Sequence, residues 1–503
     1  FDNLEYDDLA YALLDNATNN ETQQTYGSRL ERALFSYYGR VNYNIGEKYL
    51  FAGTIRKDGS SKFGSKNRFG IFPSVSAGWV ISESDLFNLS FLDFFKIRAS
   101  WGKNGNDKIG DFQYEALITS SNRDYYFGDD VQVIGSSPIK IPNPKIKWEE
   151  SEQIDFGFDS KLFHRFSFNF DVYKKSTKNW LVIVPVRVIA GADPPTVNGG
   201  DVVNKGLEFD FGYQKVNGDF TYSIHGNVAF NKNEVTFIDN PEGVIHSERH
   251  LIFNQSDEDI YKAEVGYPIG YFSGYEMIDI FQNYDEINNY IHINEDGDTT
   301  IIQRRAQPGD IKFKDQNDDG RIDTEDKIML GDPNPDVTYG LSFDAQYKGW
   351  DISIFMSGVA GNQIIYGYRN WTDSYANYSH ELVDDRWTGE GTSNTSPRVV
   401  IGSSDNFHNM SKMFIREGSY LKIRNLNIGH DLKQSLFQNL PLQQFRIYGS
   451  ISNLLTITKY PGYDPEVGYG DYDETRYENF STGVDIGFYP QPRTYMIGLN
   501  VKF

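Results

Sequence analysis

Tyr495-Met-Ile-Gly-Leu-Asn-Val-Lys-Phe503 is the stretch on which the fold turns. Successive side chains of an extended strand point to opposite faces. Tyr495, Ile497, Leu499, Val501 and Phe503 therefore share one face, and the chain stops on an aromatic. Chain ends usually fray in water, so a fully apolar terminal strand face needs something to cover it. Two architectures supply the cover. In a soluble β-sandwich a second sheet packs on the strand. In a transmembrane β-barrel the face meets lipid, and the strand must close against a neighbour because hydrocarbon cannot satisfy an open edge. The terminal aromatic strand also resembles the signal that barrel-assembly machinery reads. Alternation alone is common to both architectures and leaves them open.

The same period of two recurs upstream. Ile154, Phe156 and Phe158 oppose Asp155, Gly157 and Asp159; Phe166, Phe168, Phe170 and Val172 oppose Arg165, Ser167, Asn169 and Asp171. Leu207, Phe209, Phe211 and Tyr213 oppose Glu208, Asp210 and Gly212, and the run 337–347 alternates throughout. Strands are expected near 31–44, 47–57, 71–83, 94–103, 147–161, 163–176, 205–216, 219–233, 337–347, 349–362, 419–432, 442–455 and 491–503. In 419–432 the apolar phase shifts between Ile423 and Leu426, which predicts a bulge near Asn425. Most of these strands exceed the usual soluble length of about 5–6 residues and suit tilted membrane strands of roughly 9–11.

The connections alternate in length. Short ones fall at 45–47, 84–93, 162–163, 216–218, 348–349 and 433–441. Long ones fall at 58–70, 104–146, 177–204, 234–336, 363–418 and 456–490. All the long connections thus emerge at one end, the pattern of an outer-membrane barrel with short periplasmic turns and long extracellular loops. The final strand then runs from outside inward. An odd strand count does not close such a barrel, so the chain is expected to be the C-terminal portion of a larger one. Phe1 is preceded by no leader of the kind an exported protein carries, so the sequence is expected to begin downstream of its true start.

Composition agrees. The 503 residues include 34 Tyr and 36 Phe, enough for two aromatic girdles, and no cysteine, which excludes disulfides and thiolate metal sites. Mean hydropathy is −0.54, and no apolar run approaches the roughly 20 residues of a transmembrane helix. The net charge of −22 argues against nucleic acid, whose binding rests on phosphate neutralisation.

Several segments then become recognisable in order. They are Ser36-Tyr-Tyr-Gly-Arg-Val-Asn-Tyr43, Arg56-Lys-Asp-Gly-Ser-Ser-Lys-Phe-Gly64, Phe72-Pro-Ser-Val-Ser-Ala-Gly-Trp79, Lys96-Ile-Arg-Ala-Ser-Trp-Gly102 and Asn204-Lys-Gly-Leu-Glu208. Further on come Pro308-Gly-Asp-Ile-Lys312, Asn334-Pro-Asp-Val-Thr-Tyr-Gly340, Gly418-Ser-Tyr-Leu-Lys-Ile-Arg-Asn425 and Tyr460-Pro-Gly-Tyr-Asp-Pro-Glu466. Together they resemble the SusC/RagA family of TonB-dependent outer-membrane transporters. The resemblance implies an all-β, antiparallel transmembrane barrel of about 22 strands, within the usual barrel range, of which residues 1–503 supply about the last thirteen. The N-terminal plug, the TonB box and the early strands are expected outside this chain. The implied partners are a SusD-like lipoprotein lid, the TonB-ExbB-ExbD motor, and a second transporter–lipoprotein pair. The implied cargo is an oligosaccharide or a peptide. Two rivals stay open: a lidless siderophore or vitamin receptor, and a secreted calcium-binding sandwich adhesin.

Within the long 234–336 loop, Asp315-Gln-Asn-Asp-Asp-Gly-Arg-Ile-Asp-Thr-Glu-Asp326 fits the twelve-residue calcium loop. Asp315, Asn317, Asp319, the Arg321 carbonyl, Asp323 and Asp326 take the ligand positions, and Gly320 takes the sharp turn. Asp at the last position reaches less far than the usual Glu, and no flanking helix pair is evident, so a structural Ca²⁺ is expected and not a switch. The alternative is a solvated acidic turn. Trp371, Tyr375, Tyr378, Tyr469 and Tyr472 stand among Asp and Asn in two long loops, a composition suited to sugar rings; packing or lid contacts are the plainer reading of each. His246 and His250 lack the acidic partner of a zinc motif. No nucleophile elbow or phosphate loop occurs, so no enzyme is expected.

Overall fold

The computed structural model describes residues 31–84, 89–119, 124–127, 131–183, 188–246, 260–367, 380–400, 405–437, 441–467, 482–485 and 487–503, with residues 186 and 439. One sheet of thirteen strands forms the wall. In chain order these are β1 (Leu34–Ile45), β2 (Tyr49–Ser60), β3 (Phe69–Val80), β4 (Leu92–Asn106), β5 (Glu149–Leu162), β6 (Phe166–Ile183) and β7 (Thr196–Lys215). There follow β8 (Phe220–Ile238), β9 (Val337–Tyr347), β10 (Trp350–Ala360), β11 (Tyr420–Asp431), β12 (Gln444–Thr458) and β13 (Thr494–Lys502). Each pairs antiparallel with the next, an up-and-down order with no crossover. A single sheet of this length is a barrel wall and not the two packed sheets of a sandwich. β1 and β13 form its two edges and do not pair with each other.

All thirteen expected strands are present, but several run further than alternation predicts. β7 is 20 residues long and starts at Thr196; β6 continues to Ile183. The cause is a change of surroundings. Beyond the lipid-facing stretch, Trp180, Leu181 and Val182 are all buried, because loops cover both faces of the strand there. The period of two disappears where neither face is polar. The bulge expected near Asn425 is found: Ile423 pairs with Met356 and Asn425 with Phe355, which leaves Arg424 as the extra residue. On the neighbouring strand Asn453 answers it with a left-handed φ of 54°.

The apolar phase of the strands is exposed. Phe51, Ile55, Ile154, Phe156, Phe211 and Ile497 all carry large accessible areas, as lipid-facing residues do. At the short-turn end, aromatic rings follow one another along the rim. Phe91 meets Phe163 at 5.8 Å, Phe166 meets Tyr213 at 4.7 Å, Tyr213 meets Tyr222 at 5.4 Å, and Phe220 meets Tyr347 at 6.3 Å between ring centroids. This is one of the two expected girdles, at the interface where amphipathic rings settle. No described helix is long and apolar enough to cross a membrane.

The long loops are folded. Ile260, Tyr261, Phe272, Ile365, Phe407, Met410, Phe414 and Val484 make one buried cluster, and they come from three separate loops. Short strands tie these loops together: Gln363–Tyr366 pairs with Ile415–Glu417 on one side and with Val484–Asp485 on the other. A second cluster (Trp180, Val182, Val202, Val235, Ile238, Ile245, Ala263) welds the tips of β6, β7 and β8 to the 234–336 loop. A third, around Phe63, Phe72, Ile109, Ile146, Trp148 and Leu181, does the same beside β3 and β4. The wall thus carries a cap with its own cores on its long-loop end.

Candidate functional site

The polar phase of the strands lines the concave side of the wall, and its charges are matched across neighbouring strands. Lys96 Nζ and Arg98 Nε donate to Asp159 at 2.9 and 3.0 Å, and Arg98 also forks onto Asp171 with both distances 2.5 Å. Ser100 and Gln153 donate to Asp155 at 2.9 and 2.7 Å. Across the sheet, Arg446 bridges Asp351 at 2.7 and 2.5 Å and reaches Asn427 at 2.7 Å. Side chains of one phase on β4, β5 and β6 meet because antiparallel register puts Arg98 opposite Gly157 and Asp171 opposite Gly157. A Cβ at Gly157 would sit 2.3 Å from the Asp171 carboxylate, so the glycine makes room for the ion pair. The result is a polar, charged inner surface.

The 459–467 segment folds back against this surface. Lys422 on β11 donates to Asp464 at 2.6 Å and to Glu466 at 2.9 Å. Arg424, aimed by the bulge, forks onto Glu466 at 2.7 and 2.8 Å and donates to Ser357 at 2.8 Å. The Arg424 guanidinium holds the Glu466 carboxyl down to about 2, with Lys422 adding to the effect against the cost of burial. The far root of the same loop is pinned as well: Tyr460 Oη donates to the buried Asp485 at 2.7 Å. This clamp was not among the expected site residues. Its signal was present in Tyr460-Pro-Gly-Tyr-Asp-Pro-Glu466 and Lys422-Ile-Arg424, but nothing in the sequence joins two segments so far apart.

The acidic loop keeps the turn its sequence predicts: Gly320 has a φ of 87°. Asp315 accepts the backbone N–H groups of Asp319 (3.3 Å) and Gly320 (2.9 Å), and Asn317 accepts that of Asp319 at 3.2 Å. Arg321 Nε donates to Asp319 and to Asp323, both at 2.9 Å. Asp326 is fully buried, and its oxygens accept from Gln316 (2.7 Å) and Asp323 (2.8 Å), closing a capping box on a short 3₁₀ turn. The donors that converge most closely are Asp315, Asp318 and His292, all within 4.8 Å. Asp318 and His292 lie outside the sequence template. The oxygen-rich set and the glycine turn fit a hard cation; two of the six template positions, Asp319 and Asp323, share the Arg321 side chain.

Trp371, Tyr375, Tyr378, Tyr469 and Tyr472 lie outside the described residues, as does His250. Tyr495, Ile497 and Leu499 are exposed on β13, Val501 is half-buried, and Phe503 follows the strand with 84% of its surface free.

A wall of antiparallel strands with an apolar outer phase, a charged inner phase and long loops at one end defines an outer-membrane β-barrel. A profile of the family described as "TonB dependent receptor-like, beta-barrel" matches residues 1–454. TonB-dependent receptor P3 of Formosa agariphila is 33% identical over 479 residues, covering 94% of this chain and 46% of that protein. TonB-dependent receptor SusC of Bacteroides thetaiotaomicron is 31% identical over 504 residues, covering 96% and 44%. The solved structure of the RagAB peptide transporter superposes with a TM-score of 0.75 over 99% of this chain and 51% of that one, at 22% identity, which speaks to the fold. The chain belongs to the TonB-dependent receptor β-barrel family of the outer membrane, and within it to the SusC/RagA type. It spans about half the length of these curated relatives.

Proposed function

We propose that this chain forms the wall and outer cap of an active importer that carries oligosaccharides or peptides across the outer membrane, with a SusD-like surface lipoprotein as lid and TonB as the source of energy. The observation that carries the proposal is the joint core of three of the long loops, set above a charged, hydrogen-bonding inner wall. A folded cap presents a fixed mouth to a partner and to a sizeable polar solute, as a ring of independent loops would not. The likeness to SusC and to RagAB supports a lipoprotein partner and leaves the cargo between glycan and peptide. Trp371, Tyr375, Tyr378, Tyr469 and Tyr472 are proposed to meet that cargo, and the acidic loop at 315–326 to hold a structural Ca²⁺ that fixes the 234–336 loop. The strand ending in Phe503 is proposed as the assembly signal.

The test is native mass spectrometry of the full-length transporter extracted in mild detergent. A co-purifying lipoprotein, with glycan or peptide mass released on denaturation, supports the proposal. A transporter that emerges alone and binds an iron chelate or a corrinoid refutes it. Isothermal titration of the chelator-treated complex with CaCl₂ tests the metal, and absence of binding at millimolar Ca²⁺ rejects it.

A further inference from the structure

Three lysines stand side by side on the outward face of the wall. Lys174 of β6 is directly opposite Lys205 of β7, and Lys205 is directly opposite Lys232 of β8. All three are in the apolar phase of their strands: Phe170 and Val172 precede Lys174, Leu207 and Phe209 follow Lys205, and Val228 and Phe230 precede Lys232. They therefore face the bilayer, where the lipid-facing band ends and the long-loop, extracellular side begins. All three are exposed.

Like charges directly opposite one another in a sheet are destabilising unless something compensates them. At the same rim two other outward lysines have acidic partners, Lys103 with Glu150 and Lys178 with Glu152, each at 3.6 Å, and Lys57 lies over the Phe69 ring at 5.0 Å. Among the described residues Lys174, Lys205 and Lys232 make no ion pair, although Glu234 follows two positions after Lys232 and Asp336 lies at the same groove. Beneath them the strands leave a groove of about 650 Å³, bordered by Ile154, Phe156, Val172, Leu207 and Phe230. The arrangement joins a row of cations at the head-group level to an apolar trough at the acyl level.

We infer that this face binds a phosphorylated, multiply acylated glycolipid of the outer leaflet, of the lipid A kind. The three ammonium groups take the phosphate, and the acyl chains lie along Phe156, Val172, Leu207 and Phe230. Charge complementarity selects the head group, because a neutral lipid leaves three adjacent cations unmatched. The depth of the row, at the outer end of the apolar band, selects a lipid over a soluble anion.

The experiment uses the full-length transporter, delipidated in non-ionic detergent and titrated with purified lipid A while bound lipid is counted by native mass spectrometry. Wild type is expected to retain lipid A through a wash that strips at least tenfold more from the K174Q/K205Q/K232Q variant. The K103Q/K178Q variant, whose lysines already have glutamate partners, is expected to retain it as wild type does. Heat-modifiable gel migration checks that each variant is a folded barrel, and Lys205→Gln alone serves if the triple variant does not assemble. Equal retention by the lysine variants overturns the inference. So does equal retention of dephosphorylated lipid A, which assigns binding to the acyl chains alone. Displacement of lipid A by millimolar inorganic phosphate or by polyglutamate overturns it too, because the row would then be a general anion site or a polypeptide contact.

Discussion

Replacing Glu466 by Gln tests whether the 459–467 segment is held to the wall by charge. Glutamine keeps the shape and removes the charge that Arg424 grips at 2.7 and 2.8 Å and Lys422 at 2.9 Å. Lys422, with 4% of its side chain exposed, keeps Asp464 at 2.6 Å, and Arg424 keeps Ser357. Breaking a fully buried pair costs about 3–5 kcal/mol, and an exposed one is worth about 0–1 kcal/mol. The Glu466 side chain is 43% exposed, so solvent screening lowers the cost to about 1–2 kcal/mol. That raises local opening of the segment by about 5- to 30-fold. The assay is hydrogen exchange of peptides covering 459–467 in the full-length transporter, read against peptides from β11 and β12. The folded-state pKa of Glu466 is depressed to about 2 from an ordinary 4.5. Its contribution is therefore complete above pH 4.5 and is lost as the pH falls toward 2. Wild-type protection of the segment is expected to hold at pH 5 and to approach that of Glu466→Gln near pH 2. Less than a twofold change at neutral pH, or an equal loss of protection across β11 and β12, refutes the clamp.

Ile365 is fully buried where three loops meet; Ile365→Ala is expected to cost about 2–5 kcal/mol and to open all three loops to limited proteolysis together, and cleavage confined to one loop contradicts a shared core. Gly320→Ala places a methyl 3.0 Å from the His292 ring at a φ of 87°; calorimetry is expected to show weakened Ca²⁺ binding, with a strain of about 1 kcal/mol or more, and unchanged binding removes the turn from the site. Deleting Phe503, which is 84% exposed, is expected to lower the yield of heat-modifiable barrel in the outer membrane several-fold while leaving the melting temperature of the assembled fraction within about 2 °C, since an exposed side chain contributes little to folded stability; a matching loss of melting temperature makes Phe503 structural and not a signal.

The wall was legible in the sequence because lipid and water impose opposite chemistry on alternate residues; Phe168 and Asn169 announce their faces without help. The gathering of the long connections at one end of the wall was legible from loop lengths, and the bulge at Arg424 from a slip of phase between Ile423 and Leu426. The cap was not. Tyr261, Ile365 and Val484 sit in short strands of two to four residues, too short for any period, and they pack against segments of other loops. The strand extensions at Trp180–Val182 escaped for the opposite reason: burial on both faces erases alternation. In the acidic loop the spacing located the turn at Gly320 and one of the converging donors, Asp315, but not Asp318 or His292, the latter of which approaches from another segment and lies against Gly320.

The shared core of the cap also sets the unit in which this mouth can change. A loop moved alone from a relative would bring only its own part of an apolar interface, and Phe272, Ile365 and Val484 would lose their matched shapes together. Residues at the loop tips are free of that constraint and can vary one at a time. Altering the mouth by design therefore means either decorating the tips on a fixed foundation or exchanging 234–336, 363–418 and 456–490 as a set.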